Sequence, residues 1–236
     1  MSTVELEVRD NGVGVVRLNR PDLNIYNLEM REDLIEAFRA VRDVPAVRAV
    51  VLAANGRNFS AGADLSEFGT AESVFEARRI RWWRDPWLAL LDSPKPSVAA
   101  LHGHALGAGF EIALMCDFRL AAPDTRLGLP ETKLGMLPSA GGSQTLARLI
   151  GPGPALPVVL GGETFTAADA LRIGVVDEVV EDGPVDGAAL AMAGRLAALD
   201  PARAGAAKRA LRAAGDLPLP AGLEHERHLL HSVVAP

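Results

Sequence analysis

Residues 101–117, LHGHALGAGFEIALMCD, carry the pattern that decides the fold. An apolar run passes through Gly103, Gly107 and Gly109 and becomes an apolar, helix-like segment. That order predicts a strand, a tight loop and a helix N-terminus with one acid, Glu111, in the first turn. A helix start offers unpaired backbone N–H groups and the positive end of the peptide dipole, which suits a developing negative charge. The same dipole favours a glutamate there with no chemical role. Glu111 therefore needs partners elsewhere in the chain before it counts as more.

Working outward, Ser97–Leu101 reads as the strand that feeds this loop, after Pro94-Lys95-Pro96. Upstream, Ala49–Ala54 is a continuous apolar run, the signature of a strand covered on both faces. It ends at Asn55-Gly56, and a loop over residues 58–64 follows. Val13–Leu18 alternates between turn signals, and Leu34, Ile35, Phe38 and Val41 fall at helical spacing, so residues 13–54 read as one β–α–β unit. Residues 70–91 lean to helix with a break or restart at Pro86. Downstream, Phe118–Ala121, residues 126–129 and residues 175–180 read as strands, and residues 143–149 as a helix behind a second glycine-bearing loop, 139–142. Thr166 and Asp169 resemble a capping box for a helix ended by Gly174. Beyond about Gly187 the composition shifts to alanine, leucine and arginine, with helices predicted over 188–199, 202–214 and 224–233. The expectation is an α/β core over residues 1–187 and a helical region over 188–236.

Composition narrows the function. Of 236 residues, 49 % are hydrophobic and 23 % charged, enough for a sizeable core. Twenty-four Lys and Arg against thirty Asp and Glu give a net charge of −6, which argues against a nucleic-acid surface. The densest basic patch, Arg78, Arg79, Arg81 and Arg84 amid Trp82, Trp83 and Trp87, reads as a solvated helix face over buried tryptophans. Cys116 is the only cysteine, so no internal disulfide and no cysteine metal site is expected. The polar start, MSTVELEVRDNG, is unlike a signal peptide, and no apolar run approaches the roughly 20 residues of a membrane helix. The expected location is the cytoplasm, away from membranes.

The chemical candidates sort by elimination. Gly103, Gly107 and Gly109 form G-x-x-x-G-x-G, not the dinucleotide fingerprint, and no Gly-Lys-Ser/Thr phosphate loop occurs. Ser60 lacks the first glycine of a nucleophile elbow. His102 and His104 have no companion that completes a metal set, and His225, His228 and His231 share one face of the last helix. What survives is two glycine-bearing loops and two acids. Gly62-Ala63 follows one buried strand and Ala108-Gly109 another, and small residues there admit a ligand close to main-chain N–H groups. Two converging N–H donors make an oxyanion hole, with Glu111 and Glu131 placed to work as acid and base beside it. Spacing alone leaves the convergence open.

These residues carry a resemblance. Residues 59–65 (FSAGADL), 102–111 (HGHALGAGFE), Cys116-Asp117, Leu129-Pro130-Glu131 and residues 135–144 (GMLPSAGGSQ) resemble the crotonase, or enoyl-CoA hydratase/isomerase, superfamily in order and spacing. The likeness runs from about Val13 to Val180. It implies a spiral of β–β–α turns with C-terminal helices that mediate trimers, often paired into hexamers. It implies an acyl-coenzyme A thioester as substrate, with no metal and no redox cofactor, in fatty-acid metabolism. By motif position the oxyanion donors are the N–H groups of Ala63 and Ala108, where many relatives have glycine in place of Ala108. The loop of Ala61, Gly62, Asp64, Leu65 and Ser66 lies against the coenzyme, and Gly109 and Ser139 belong to the substrate site.

Hydratases of the family carry a glutamate at each of the positions of Glu111 and Glu131, and both are present here. The resemblance implies that the pair holds one water, with Glu111 as base and Glu131 as donor of the α-proton. The expected reaction is hydration of a 2-enoyl-CoA to a 3-hydroxyacyl-CoA. Isomerase, hydrolase or decarboxylase chemistry on an acyl-CoA is the alternative within the family, and a non-catalytic acyl-CoA- or RNA-binding relative is the alternative from a different functional class. Two features depart from the pattern: Ser139 stands where many hydratases have glycine, and the chain stops at Pro236, short of a further helical segment and basic tail. Phe75, Trp82, Trp83 and Trp87 fall in the stretch that borders the acyl pocket in similar proteins, with core packing expected for at least two of them.

Overall fold

The computed structural model describes residues 2–79 and 83–234. In chain order the strands are β1 (Val4–Val8), β2 (Val13–Leu18), β3 (Ala49–Ala54), β4 (Ser97–Leu101), β5 (His104–Leu106), β6 (Phe118–Ala121), β7 (Arg126–Gly128), β8 (Thr164–Thr166) and β9 (Glu178–Val179). The helices are α1 (Leu28–Asp43), α2 (Val74–Arg78), α3 (Pro86–Leu91), α4 (Ala108–Leu114), α5 (Gly142–Ile150), α6 (Pro152–Val159), α7 (Ala167–Arg172), α8 (Val185–Ala197), α9 (Pro201–Ala213) and α10 (Leu219–Val234). Six strands form one sheet in the order β1-β2-β3-β4-β6-β9, and β5-β7-β8 form a second. From β2 to β9 the large sheet is parallel, and β1 adds antiparallel at its edge. The chain passes from β4 to β5 to α4, then from β6 to β7, alternating between the two sheets. This is the expected α/β spiral of β–β–α turns.

The run Ala49–Ala54 shows why the large sheet is covered on both sides. Side chains alternate along a strand, so Val50, Leu52 and Ala54 enter one core and Ala49, Val51 and Ala53 the other. The first core takes Met30, Leu34, Phe38 and Val41 from α1 and the apolar face of α4. Fully burying a side chain such as Phe38 contributes roughly 1.5–3 kcal/mol. The second core is closed by Ala189, Ala193 and Ala197, one small-residue stripe of α8. The expected division at residue 187 falls inside α8, whose stripe packs on the sheet.

Several elements differ from expectation. Residues 175–180 pair only at Glu178–Val179, because the Val175 and Val176 amides turn back to the Ala170 carbonyl and close α7. Thr166 caps α7 as predicted, accepting from the Asp169 amide at 3.1 Å. The helical stretch 70–91 divides into α2 and α3, with Pro86 in the first turn of α3 and Asp85 capping it. Arg81 and Trp82 of the basic, tryptophan-rich patch lie outside the described residues. Trp83 is 62 % exposed and meets the exposed Phe75 edge-on at 5.3 Å, whereas Trp87 is buried. The expected cover of buried tryptophans therefore holds for Trp87 and not for Trp83. Strands β1, β5 and β8 and the proline-bearing helix α6 have no counterpart in the sequence reading.

Candidate active site

The opening stretch folds as a loop between two sheets and a helix. Gly107 caps α4 with φ of 52°, a left-handed conformation that side chains rarely adopt. A Cβ there would stand 3.0 Å from Glu131 Oε1. Gly109, two residues further on, lies against the loop after β3, where a Cβ would meet the Ser60 side chain at 2.5 Å and its carbonyl at 2.8 Å. Gly62, with φ of 107°, passes so close that its Cβ would be 3.6 Å from the Ala108 nitrogen. Three missing side chains thus let the two glycine loops converge.

Convergence brings two amides together. The loop after β3 runs beside Tyr26, whose N–H donates to the Gly62 carbonyl at 2.8 Å while the Asp64 N–H donates to the Tyr26 carbonyl at 2.9 Å. Groups along an extended chain alternate in direction, so the Ala63 N–H points the other way. Ala108 is the first residue of α4 and its N–H has no acceptor within the helix. Among the described residues neither the Ala63 nor the Ala108 amide donates to a protein acceptor. Ser60, by contrast, is fully engaged: its hydroxyl donates to the Asn24 carbonyl at 2.7 Å and accepts from the Gly62 amide at 3.2 Å. It is part of the loop's support.

Both acids reach the same place. Glu111 is buried, and its Oε1 accepts from the Ala140 amide at 2.9 Å and the Gly142 amide at 2.8 Å. The second glycine loop, at the start of α5, therefore holds this carboxylate in one orientation. Glu131 stands in a short 3-10 turn, Pro130–Leu134, and its Oε2 is buried with no hydrogen-bond partner among the described residues. Burial first, and then the negative charge of Glu111, push the Glu131 carboxyl up to about 7, against an opposing hydrogen bond from its own backbone.

That shift has a stability signature. In the unfolded chain Glu131 ionises near the ordinary carboxylate value, and in the folded protein only near 7. The stabilisation from its neutral form is complete below the unfolded value and is lost as pH rises through about 7. Glu131→Gln, which stays neutral, is expected to melt higher than wild type at about pH 8 and to lose that advantage by about pH 4. A melting difference that does not change with pH would refute the shift.

A cavity of about 410 Å³ joins these groups. Ala61, Gly62, Ala63, Asp64 and Leu65 line it from the first loop, Ala108 and Glu111 from α4, and Glu131 and the exposed Ser139 from the segment before α5. Two expected site residues stand outside its lining. Gly109 packs on Ser60, and Ser66 turns its amide and hydroxyl to Asp64 Oδ1 at 3.1 and 2.6 Å. Those bonds from Ser66, with Arg20 at 3.3 Å, hold the Asp64 carboxyl below its usual range. His102 lies in the loop after β4 and His104 begins β5, and their rings meet the Gly56 carbonyl at 3.2 Å and Asn58 Oδ1 at 2.8 Å.

Some lining residues escaped the sequence reading. Tyr26, the only tyrosine, is buried 5.4 Å from the Trp87 ring. Trp87 donates from Nε1 to the Ala108 carbonyl at 3.2 Å, so it braces the residue whose amide faces the cavity. Arg31, on α1, stacks its guanidinium 4.9 Å from the centre of that same ring. Helical spacing marks the apolar face of α1 and leaves a half-buried arginine beside it indistinguishable from a solvated one.

Known proteins share this arrangement of chain. The model of the family "Enoyl-CoA hydratase/isomerase" matches residues 8–236. A probable enoyl-CoA hydratase of Mycobacterium bovis is 37 % identical over 228 residues, 96 % of this chain and 88 % of the relative. The 2,3-dehydroadipyl-CoA hydratase of Escherichia coli is also 37 % identical over 228 residues, 96 % of this chain and 89 % of its own. The crystal structure of an enoyl-CoA hydratase from Bacillus anthracis superposes with a TM-score of 0.92 at 32 % identity, covering 99 % of this chain and 92 % of that one. The two-sheet spiral, the converging glycine loops and these matches together show that the chain belongs to the enoyl-CoA hydratase/isomerase, or crotonase, family.

Proposed function

We propose that the protein hydrates 2-enoyl-CoA thioesters to 3-hydroxyacyl-CoA. The observation that carries this reading is that two carboxyls, Glu111 and Glu131, line one cavity with two unengaged backbone amides. In this reading the thioester carbonyl accepts from the Ala63 and Ala108 N–H groups. Their positive ends stabilise the charge that gathers on that oxygen as the double bond is attacked. Glu111, oriented by the Ala140 and Gly142 amides, removes a proton from water as the water oxygen bonds to the β-carbon. Glu131, whose raised value keeps it protonated up to about neutral pH, gives its proton to the α-carbon. One water is consumed and no electrons are exchanged, so the reading calls for no redox cofactor and no metal. The coenzyme A part of the substrate lies along the loop from Ala61 to Ser66.

Trimer formation belongs to the same reading. Helix α10 buries no residue and leaves Leu219, Leu223, Leu230 and Val234 exposed, a face that a second copy of the chain would cover. Among the described residues no helix is long and apolar enough to cross a membrane.

Loss of the conjugated-thioester absorbance of crotonyl-CoA and longer 2-enoyl-CoAs tests the activity. Turnover of at least one chain length is expected. If none turns over while a 3-enoyl-CoA is rapidly isomerised, the isomerase assignment replaces this one.

A further inference from the structure

One donor in the cavity wall has no part in the hydration chemistry, the indole N–H of Trp87. Trp87 is the second residue of α3, and the Asp85 carboxylate accepts from its backbone amide at 2.9 Å, so the side chain leaves a fixed helix start. It is buried, with the Tyr26 ring 5.4 Å away and the Arg31 guanidinium 4.9 Å from its centre. Its Nε1 donates to the Ala108 carbonyl at 3.2 Å. A buried indole N–H needs some acceptor, and packing alone would be served by any carbonyl within reach. The acceptor here belongs to the residue between Gly107 and Gly109, where the backbone has least stiffness of its own. Tyr26 continues the line to the other donor. Its amide donates to the Gly62 carbonyl and its carbonyl accepts from the Asp64 N–H, at 2.8 and 2.9 Å, on either side of Ala63. One aromatic pair therefore joins the backbone of Ala63 to that of Ala108.

We infer that Trp87 is a positioning residue for the oxyanion hole: its indole N–H holds Ala108 in the orientation that aims the backbone amide at the thioester oxygen. This rests on the cavity being an enoyl-CoA site. A donor in such a hole works when it is set in advance at hydrogen-bond distance from the oxygen, and a misplacement of about 1 Å costs about 10²-fold. Groups that hold a site to that tolerance do so by packing and by hydrogen bonds from rigid elements, which describes an indole fixed by α3 and packed on Tyr26. The N–H and the carbonyl of Ala108 belong to adjacent peptide units joined at one Cα. A rotation that breaks the indole bond therefore also swings the amide. Without the bond the amide is still present but loosely aimed, so the loss is smaller than that from deleting the donor.

The test uses Trp87→Phe, which keeps a ring beside Tyr26 and loses the N–H, and the full chain carrying 3-benzothienylalanine at position 87, where sulfur replaces the N–H within the same fused ring. The probe is 4-dimethylaminocinnamoyl-CoA, whose electron-rich double bond resists hydration and whose absorbance moves to longer wavelength as its carbonyl is polarised. Wild type is expected to shift the bound probe to the red. Both altered proteins are expected to lose about half of that shift or more and to lower kcat on crotonyl-CoA by about tenfold to a hundredfold, with KM moving by less than about threefold. A tryptophan that only packs would change melting temperature and leave the shift of the bound probe intact. Where Trp87→Phe fails to fold, the isosteric protein decides alone. A full red shift in that protein overturns the inference whatever its rate, and so does an unshifted probe bound to wild type, since no polarising hole then exists to be held. The same readout separates this from the hydratase reading. A wild-type shift that the altered proteins lose, with no hydration of any enoyl-CoA, removes that reading and leaves Trp87 its role. Hydration by wild type, with a full shift in the altered proteins, does the reverse.

Discussion

Replacing Glu111 with glutamine is expected to lower kcat by about 10²–10⁴-fold, the range for loss of a positioned general base. The substitution is nearly isosteric, and the amide oxygen still accepts from the Ala140 and Gly142 N–H groups that fix the native side chain. The loop before α5 should therefore keep its place, and KM should move far less than kcat, the pattern of an interaction made in the transition state. Glu131→Gln is expected to lose rate in the same range, because its amide cannot deliver an acidic proton to carbon. In the proposed mechanism both carboxyls manage one water, so the double variant should be little worse than the poorer single one. In wild type, kcat/KM is expected to fall as pH rises through about 7, where Glu131 gives up its proton, and Glu131→Gln should lack that limb. Wild-type hydration in either single variant would end the two-glutamate mechanism.

The second large effect concerns a backbone group. Ala108 is the first residue of α4, the helix position at which proline is best tolerated because its N–H has no partner in the helix. Ala108→Pro therefore deletes the proposed oxyanion donor while asking little of the helix, and the carbonyl that accepts from Trp87 Nε1 remains. Loss of one such donor costs about 10²–10³ in kcat, or about 3–4 kcal/mol. Ala108→Gly keeps the N–H and should retain most of the rate. A proline variant that melts close to wild type yet hydrates normally would remove Ala108 from the oxyanion hole. A glycine variant as slow as the proline one would show that the methyl group, not the amide, matters.

Much of the frame was legible because it is local. Ala49–Ala54 announces a doubly covered strand by its unbroken apolar run, and Thr166 announces α7 through an oxygen three residues from the amide it caps. The candidate residues Ala63, Ala108, Glu111 and Glu131 were legible through the family's motifs, and the cavity joins all four. What stayed hidden depends on parts of the chain far apart in sequence. The orientation of Glu111 is set by amides at Ala140 and Gly142, across two strands and a turn. The raised value of Glu131 comes from burial and from the charge of Glu111. Strand β5 is three residues between glycines, too short to show a period of two, and it exists because β7 pairs with it. Helix α6 carries prolines at 152, 154 and 157, which read as breakers, yet the first two lie in a first turn that needs no internal N–H donors, and only Pro157 stands inside the helix. Arg31 becomes visible as a cavity residue only when α3 brings Trp87 beneath it.

The most direct measurement of the central claim is the fate of water oxygen. Crotonyl-CoA incubated with the protein in ¹⁸O-labelled water should yield 3-hydroxybutyryl-CoA that carries the label on the hydroxyl, at a rate that falls in step with Glu111→Gln and Glu131→Gln. No label in any product from any chain length, with a 3-enoyl-CoA shifted to the 2-enoyl form in the same solution, would contradict the account.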